Sequence, residues 1–295
     1  MKRSRLNRRM KQLIYISDEA IDRMIREDVP YVDLTTWALD IGGSPGTIEY
    51  FSREHAVLCG TEEVLRMFAK LGVTPVSSLP SGTAVEPGQV YLSGKGTAES
   101  LHMAWKVTQN LLECCSGIAT KTKRIVDKVK AVNPNVSVAS TRKSFPGTKA
   151  MSVKAILCGG AAPHRLGLSE TVLVFKEHAN FCGGPNAFVE RIGELKSRVP
   201  EKKLVVETDS MEYGLRLCRA GVDCLQFDKL PPDVLLAGSA ELRAANPNVV
   251  LLAAGGIDEH NAEAYAAAGV DVLVTTSLFF AKPLDMSVRL LPDVK

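Results

Sequence analysis

Arg142 and Lys143 stand side by side in the stretch STRKSFPGTK (residues 140–149), directly after a β-branched run and just before a Pro-Gly turn. Two adjacent cations at the mouth of a buried strand are costly unless an anion meets them. A second cationic pair, His164 and Arg165, follows Pro163 in PHRLGL. A guanidinium fork suits a carboxylate bidentately, whereas a lysine ammonium meets a phosphate as a point charge. Glu207 and Asp228 end two successive apolar runs, and two such carboxylates suit a magnesium ion that keeps its waters. AAGGIDEHN sets Gly255 and Gly256 before a helix start, where free backbone N–H groups favour an anion. TTSLF adds Thr275, Thr276 and Ser277 one repeat later. The set asks for a ligand with carboxylate-like and phosphate groups, and for a hard cation. Phosphoryl or pyrophosphate-releasing chemistry matches it.

The elements that must hold these residues are short and apolar. NVSVAST (135–141), TVLVF (171–175), KLVVET (203–208), DCLQFD (223–228), VVLLAAGG (249–256) and DVLVTTS (271–277) are near-continuous hydrophobic runs. Such runs mark parallel strands covered on both faces. Helical patterns lie between them: PNAFVERIGELKSR behind a Pro-Asn start, SMEYGLRLCRAG from a serine cap to a glycine, and DEHNAEAYAAAG from an aspartate to a glycine. Repeated strand–helix units predict a parallel sheet, and strands this short predict a barrel, closed or nearly so. In a barrel of this kind, working residues sit at the C-terminal strand ends, where the candidates above fall.

The first 120 residues read differently. A helix over 16–28 with Ser17 as cap and another over 61–72 accompany short strand candidates in GTIEYFSR, HAVLCG, VTPVSSL and GQVYLSGKG. This predicts a mixed α/β domain, followed by a long helix over about 97–131. The expected division is 1–118 and 119–279, with 280–295 packing back on the first domain.

Composition removes several function classes. No apolar run reaches the roughly 18 residues that span a bilayer, and the basic start MKRSRLNRRMK lacks the apolar stretch of a secretory signal. Set aside its six cations, and 30 basic residues face 33 acidic ones, so a nucleic-acid-binding face is not expected. Seven cysteines without a C-x-x-C pair predict reduced, mostly buried thiols in a cytoplasm and no zinc site.

SGIAT (116–120), TRKSFPGTK, GGAAPHRLGL, VVETDS, LQFDK and AAGGI resemble, in that order, motifs of the quinolinate phosphoribosyltransferase family. The likeness runs from EDVPYVDLTT (27–36) to the last strand, and the most similar branch is one associated with molybdenum-transport loci. The resemblance implies an N-terminal α/β sandwich and a C-terminal, open, seven-stranded α/β barrel. It implies a homodimer with active sites shared between subunits, further assembly to a hexamer being open. It implies transfer of phosphoribose from phosphoribosyl pyrophosphate to an anionic, aromatic carboxylate acceptor, with Mg2+ and release of pyrophosphate. Thr141, Arg142, His164 and Arg165 would hold the acceptor, with Lys106 reaching it from the neighbouring subunit. Lys143, Lys176, Ala254, Gly255, Gly256, Thr276 and Ser277 would hold the donor. Lys143, Glu207 and Asp228 would be catalytic, the two carboxylates also binding the metal.

Several positions depart from the family pattern. WKVTQN puts Lys106 where the family has an arginine, and VFKEH puts Phe175 where it has a lysine, moving Lys176 one place on. Ala254 replaces a serine and Thr276 a glycine. The donor half is mostly kept and the acceptor half altered. Quinolinate itself as acceptor, a molybdate-like oxyanion bound without chemistry, and Schiff-base catalysis on Lys143 or Lys176 are the alternative readings.

Overall fold

Half-buried and fully buried strands segregate into two units in the computed structural model, which describes residues 14–293. One unit comprises the residues up to Lys123 with Phe145–Gly160 and the chain from Phe279; the other comprises Arg124–Ser144 and Ala161–Leu278. The basic start lies outside the described residues. Among the described residues, no helix is long and apolar enough to cross a membrane.

In the first unit, β1 (Pro45–Ser52) alternates buried and part-buried residues, as a strand covered on one face must. It is followed by β2 (Ala56–Val57), β3 (Thr74–Ser78), β4 (Ala84–Val85) and β5 (Val90–Thr97). The antiparallel sheet runs Met286–Pro292, β1, β5, β3, while β2 and β4 pair by themselves. Tyr50 of β1 sits between Phe68 of helix Thr61–Leu71 and Tyr91 of β5, and its hydroxyl lies 2.6 Å from Thr108 Oγ1. Thr108 belongs to the long helix Ala98–Val132, within which the two units divide.

Helix Lys149–Cys158 corrects the expected domain division, because its residues fall in the first unit and not in the barrel. Met151, Ala155 and Cys158 pack there against Ile21, Ile25 and Cys59. Nearly every residue of this helix is buried, so it has no polar stripe by which its period could be read. Its Lys154 is buried and pairs with Glu63 at 2.5 Å and Glu62 at 2.8 Å. Burial works against the Glu62 carboxylate, but hydrogen bonds from Lys154 and Ser81 hold its pKa down to about 2.

The second unit carries β6 (Ser137–Ser140), β7 (Ala162–Pro163), β8 (Val172–Val174), β9 (Leu204–Thr208), β10 (Cys224–Asp228), β11 (Val250–Ala254) and β12 (Val272–Thr275). Their order is β7–β6–β12–β11–β10–β9–β8, and every pair is parallel. The sheet is therefore the open, seven-stranded one that the family resemblance implies. The apolar runs gave six of its strands; the seventh, β7, is two residues long and contains a proline, which a sheet edge tolerates. The helix expected over PNAFVERIGELKSR is broken at Arg191 into Pro185–Glu190 and Ile192–Arg198. The helix expected from Asp258 starts only at Ala262, since Asp258 Oδ1 instead accepts from His260 N at 2.8 Å.

Ala139, Leu173, Val205, Cys224, Leu252, Ala254 and Val274 share the inner face of this sheet. Two aspartates at the strand starts tie neighbours together. Asp223 Oδ2 accepts from Leu204 N at 2.7 Å, and Asp271 Oδ2 from Leu251 N at 2.8 Å. Lys196 and Arg243 neutralise them at 3.0 Å each.

Replacing Lys154 by methionine strands two carboxylates in a mostly buried setting and should cost about 3–5 kcal/mol at neutral pH, read by denaturant unfolding. Because Glu62 is depressed in the folded state, its contribution is complete above about pH 5 and fades toward pH 2. The variant should lose that acid-side decline, so its deficit against the parent narrows as the pH falls.

Candidate active site

The inner-face positions continue past the C-terminal strand ends, where seven strand ends and their loops enclose a cavity of about 600 Å3. β6 delivers Thr141, Arg142 and Lys143; β7 delivers His164 and Arg165. The loops after β11 and β12 deliver Gly255, Gly256, Asp258, Thr276 and Ser277, with Ala254 at the end of β11 itself. Glu207 of β9 and Asp228 of β10 complete the wall. The structure thus brings together all of the sequence-derived site residues except two.

Those two are lysines. Lys176 is exposed and opens helix Lys176–Phe181, while the preceding Phe175 forms part of the cavity wall. Successive residues at a strand end face opposite ways, so the one-place shift in VFKEH takes the ammonium out of the cavity. Lys106, which the resemblance assigns to the neighbouring subunit's site, does not line the cavity of its own chain; its Nζ lies 4.3 Å from the Trp105 ring centroid and 3.4 Å from Gln109 Oε1.

The hydroxyls and glycines form a tight polar rim. Thr141 Oγ1 lies 3.0 Å from Thr276 Oγ1 and accepts from Lys143 N at 3.2 Å, which turns the chain at the end of β6. Ser277 N donates to Thr275 Oγ1 at 3.0 Å, leaving the Ser277 hydroxyl buried without a partner. Gly255 has φ +85°, and a Cβ there would meet Asp228 Oδ1 at 2.5 Å and Lys229 N at 2.9 Å. Lys229 itself takes a left-handed φ of 61° while its N–H donates to Ala254 O at 2.7 Å. Only glycine allows the β10 and β11 loops to approach so closely.

Charge is divided across the cavity. Arg165 is buried, with no hydrogen-bond or ion-pair partner among the described residues; burial and then Arg142 lower its pKa. Burial, with Arg165 beside it, also pushes the His164 imidazole down and favours its neutral form. Glu207 is shifted upward, first by burial and then by the carboxylates of Asp228 and Glu177, against the hydrogen bond it receives from Gln226. An unmet pair of cations thus shares a cavity with crowded carboxylates. A ligand with its own negative charge and a bridging cation relieves both.

The family model for the quinolinate phosphoribosyl transferase C-terminal domain matches residues 118–289, and that for the N-terminal domain matches 33–116. The chain belongs to the quinolinate phosphoribosyl transferase family. The ModD protein of Pasteurella multocida is 35% identical over 276 residues, which cover 94% of this chain and 98% of the relative. The ModD protein of Rhodobacter capsulatus is 41% identical over 250 residues, covering 85% and 96%. NadC from Streptococcus pyogenes shares the fold, with a TM-score of 0.84, 24% identity and coverage of 94% and 97%.

The cavity wall also holds Phe175, at the position where the family motif has a lysine, and Gln226, which was not among the sequence candidates. Gln226 carried a usable signal, being the polar residue in the middle of an otherwise apolar strand. The proposed magnesium ion also meets a fitting pair of ligands. No cluster of three or more metal-binding side chains exists among the described residues. Two crowded carboxylates suit an ion whose other ligands are waters and substrate phosphates.

Gly255→Ala should cost several times more stability than Gly256→Ala. Both glycines have positive φ, but a Cβ at Gly256 meets nothing within 4 Å. The latter change should cost about 1 kcal/mol by denaturant unfolding. Equal effects would mean that the approach of the β10 loop does not constrain this turn.

Proposed function

We propose that this chain is a phosphoribosyltransferase that joins the phosphoribosyl group of phosphoribosyl pyrophosphate to a ring nitrogen of an anionic, aromatic carboxylate acceptor, releasing pyrophosphate. The observation that carries this reading is the separation of charge in one cavity: Arg142, Lys143 and Arg165 from β6 and β7, against Glu207 and Asp228 from β9 and β10. In the reaction, the bond from the anomeric carbon to the pyrophosphate oxygen breaks and its electron pair leaves with pyrophosphate. The acceptor nitrogen lone pair forms the new bond. Charge is greatest on the sugar ring and on the leaving group between these events.

Each side chain then has a role. Arg142 and Arg165, next to the neutral His164, orient the acceptor carboxylate. Lys143 balances the charge on the departing diphosphate, while Glu207 and Asp228 face the ribose and its developing positive charge. Glu207 and Asp228 would hold a magnesium ion, which when bound would supply neutralisation of the diphosphate. Backbone N–H groups after Ala254, with Thr276 and Ser277, cradle the 5′-phosphate. The enzyme's contribution is positioning and electrostatics rather than covalent catalysis. Family membership also supports a homodimer with shared sites, and the resemblance to the branch associated with molybdenum-transport loci supports a connection to molybdenum. Cysteines 59, 114, 115, 158, 182, 218 and 224, none of them in a disulfide, are compatible with a reducing cytoplasm.

The test is release of pyrophosphate from phosphoribosyl pyrophosphate across aromatic mono- and dicarboxylates, quinolinate included, with and without Mg2+. At least one acceptor should turn over only when the metal is present. Glu207→Gln should then lower kcat about 100-fold, and Arg165→Ala should act mainly on the acceptor KM. Saturable molybdate binding by calorimetry, with no pyrophosphate released from any acceptor, would replace the enzyme by an oxyanion binder.

A further inference from the structure

Gln226 is a polar side chain planted in an apolar strand. It projects from the middle of β10, stands in register with Glu207 of β9, and is only 5% exposed. The amide Nε2 donates to Glu207 Oε2 at 2.5 Å, and that bond turns the amide oxygen away from the carboxylate, because a carboxylate accepts from NH2 and not from C=O. The same side chain bonds the His164 imidazole, opposing the burial that pushes this ring toward its neutral form. A hydrogen bond that favours the protonated ring is one in which the ring donates, so the amide oxygen is the acceptor. Both ends of the amide are therefore spent within the protein.

The two partners belong to opposite halves of the site. His164 follows β7 and lies beside Arg165, whereas Glu207 stands with Asp228 among the carboxylates. Along the sheet, β6, β12 and β11 lie between β7 and β10. The bond to His164 is therefore made across the inside of the curved sheet and not between neighbouring strands. An amide is costly to bury and is worth keeping only when both of its ends are met. Methionine, of nearly the same length, would fill this place without that cost. What the amide adds is fixed geometry, because the imidazole N–H is committed to one direction and Glu207 Oε2 is held in place.

We infer that Gln226 is a positioning residue of the transfer reaction, one that braces the acceptor-side His164 and the donor-side Glu207 against each other across the barrel. The inference rests on the phosphoribosyltransferase reading for what the two halves bind. It adds that the halves are not set independently: one amide fixes both, acting through these two side chains and not on either substrate. Loss of the amide frees the imidazole to carry its proton on either nitrogen. It also lets the Glu207 carboxylate, crowded by Asp228 and Glu177, turn away from its place. A hydrogen bond to a charged group is strong enough that phosphoribosyl pyrophosphate should bind about tenfold weaker without it.

Ring-nitrogen NMR on the full chain, labelled at its five histidines, tests the acceptor side, with the His164 signal assigned by its loss in His164→Asn. The parent should show one tautomer at His164, and Gln226→Met a mixture of two. Calorimetry with phosphoribosyl pyrophosphate and Mg2+ tests the other side, where Gln226→Met should bind about tenfold weaker than the parent. Gln226→Glu keeps an oxygen for His164 but loses the N–H for Glu207, so the ring should stay in one form while binding falls at least as far. A residue that merely fills space would lower the unfolding midpoint when replaced and leave both readings unchanged. An unaltered His164 signal or an unaltered affinity in Gln226→Met overturns the inference. If that variant does not fold, Gln226→Glu decides: a ring in two forms, or an affinity equal to the parent's, overturns it. A parent that binds no phosphoribosyl pyrophosphate sinks the enzymatic reading and the inference with it, whereas a parent that binds it no tighter than its variants sinks the inference alone.

Discussion

The parallel register of β9, β10 and β11 is the constraint on which the site depends. Gln226 lies opposite Glu207 on one side, and Asp228 lies opposite Ala254 on the other. Because side chains alternate, this register sends Cys224, Gln226 and Asp228 to the inner face and Leu225 and Phe227 to the helices. A slip of one residue would bury an aspartate against the helices and place phenylalanine in the cavity. Asp223 and Asp271 guard against such a slip at the opposite ends of the strands, where each carboxylate binds an N–H in the first two residues of a neighbour. These carboxylates lie outside the cavity wall, yet they help to hold the register that presents its residues.

Above the apolar inner face, the seven strand ends sort charge by position. The cations cluster where β6 and β7 end, and the carboxylates where β9 and β10 end. Both groups stay strained: Arg165 is buried near another arginine, and Glu207, though bonded by Gln226, is crowded by acidic neighbours. Unfavourable electrostatics of this kind are held in place by the sheet and relieved by a ligand, which is how a fold converts packing energy into affinity. The close approach of Gly255 to Asp228 and Lys229 brings the anion-binding turn within reach of the carboxylates.

Much of the site was legible in the sequence. The strands of a two-sided parallel sheet are apolar throughout, so the first charged residue after each run marks the cavity rim, and Arg142, Glu207 and Asp228 were placed correctly on that basis. Elements that are very short or buried on every side carry no such pattern. β7 is two residues long and includes Pro163, and helix Lys149–Cys158 is buried on almost every side. Lys176 misled because charge counts look the same whichever face a residue occupies.

The sequence by itself determined the α/β class, the strand–helix repeat, the anion-seeking cationic set and the family, since these depend on local periodicity and on residue types in order. Only the tertiary structure decided that Phe175 and not Lys176 forms the wall, that residues 145–160 leave the barrel for the first unit, and that Gln226 meets Glu207 at the cavity. The reason is physical. Local patterns state what each residue prefers to touch, but which atoms are left without a partner depends on the register and closure of strands far apart in the chain.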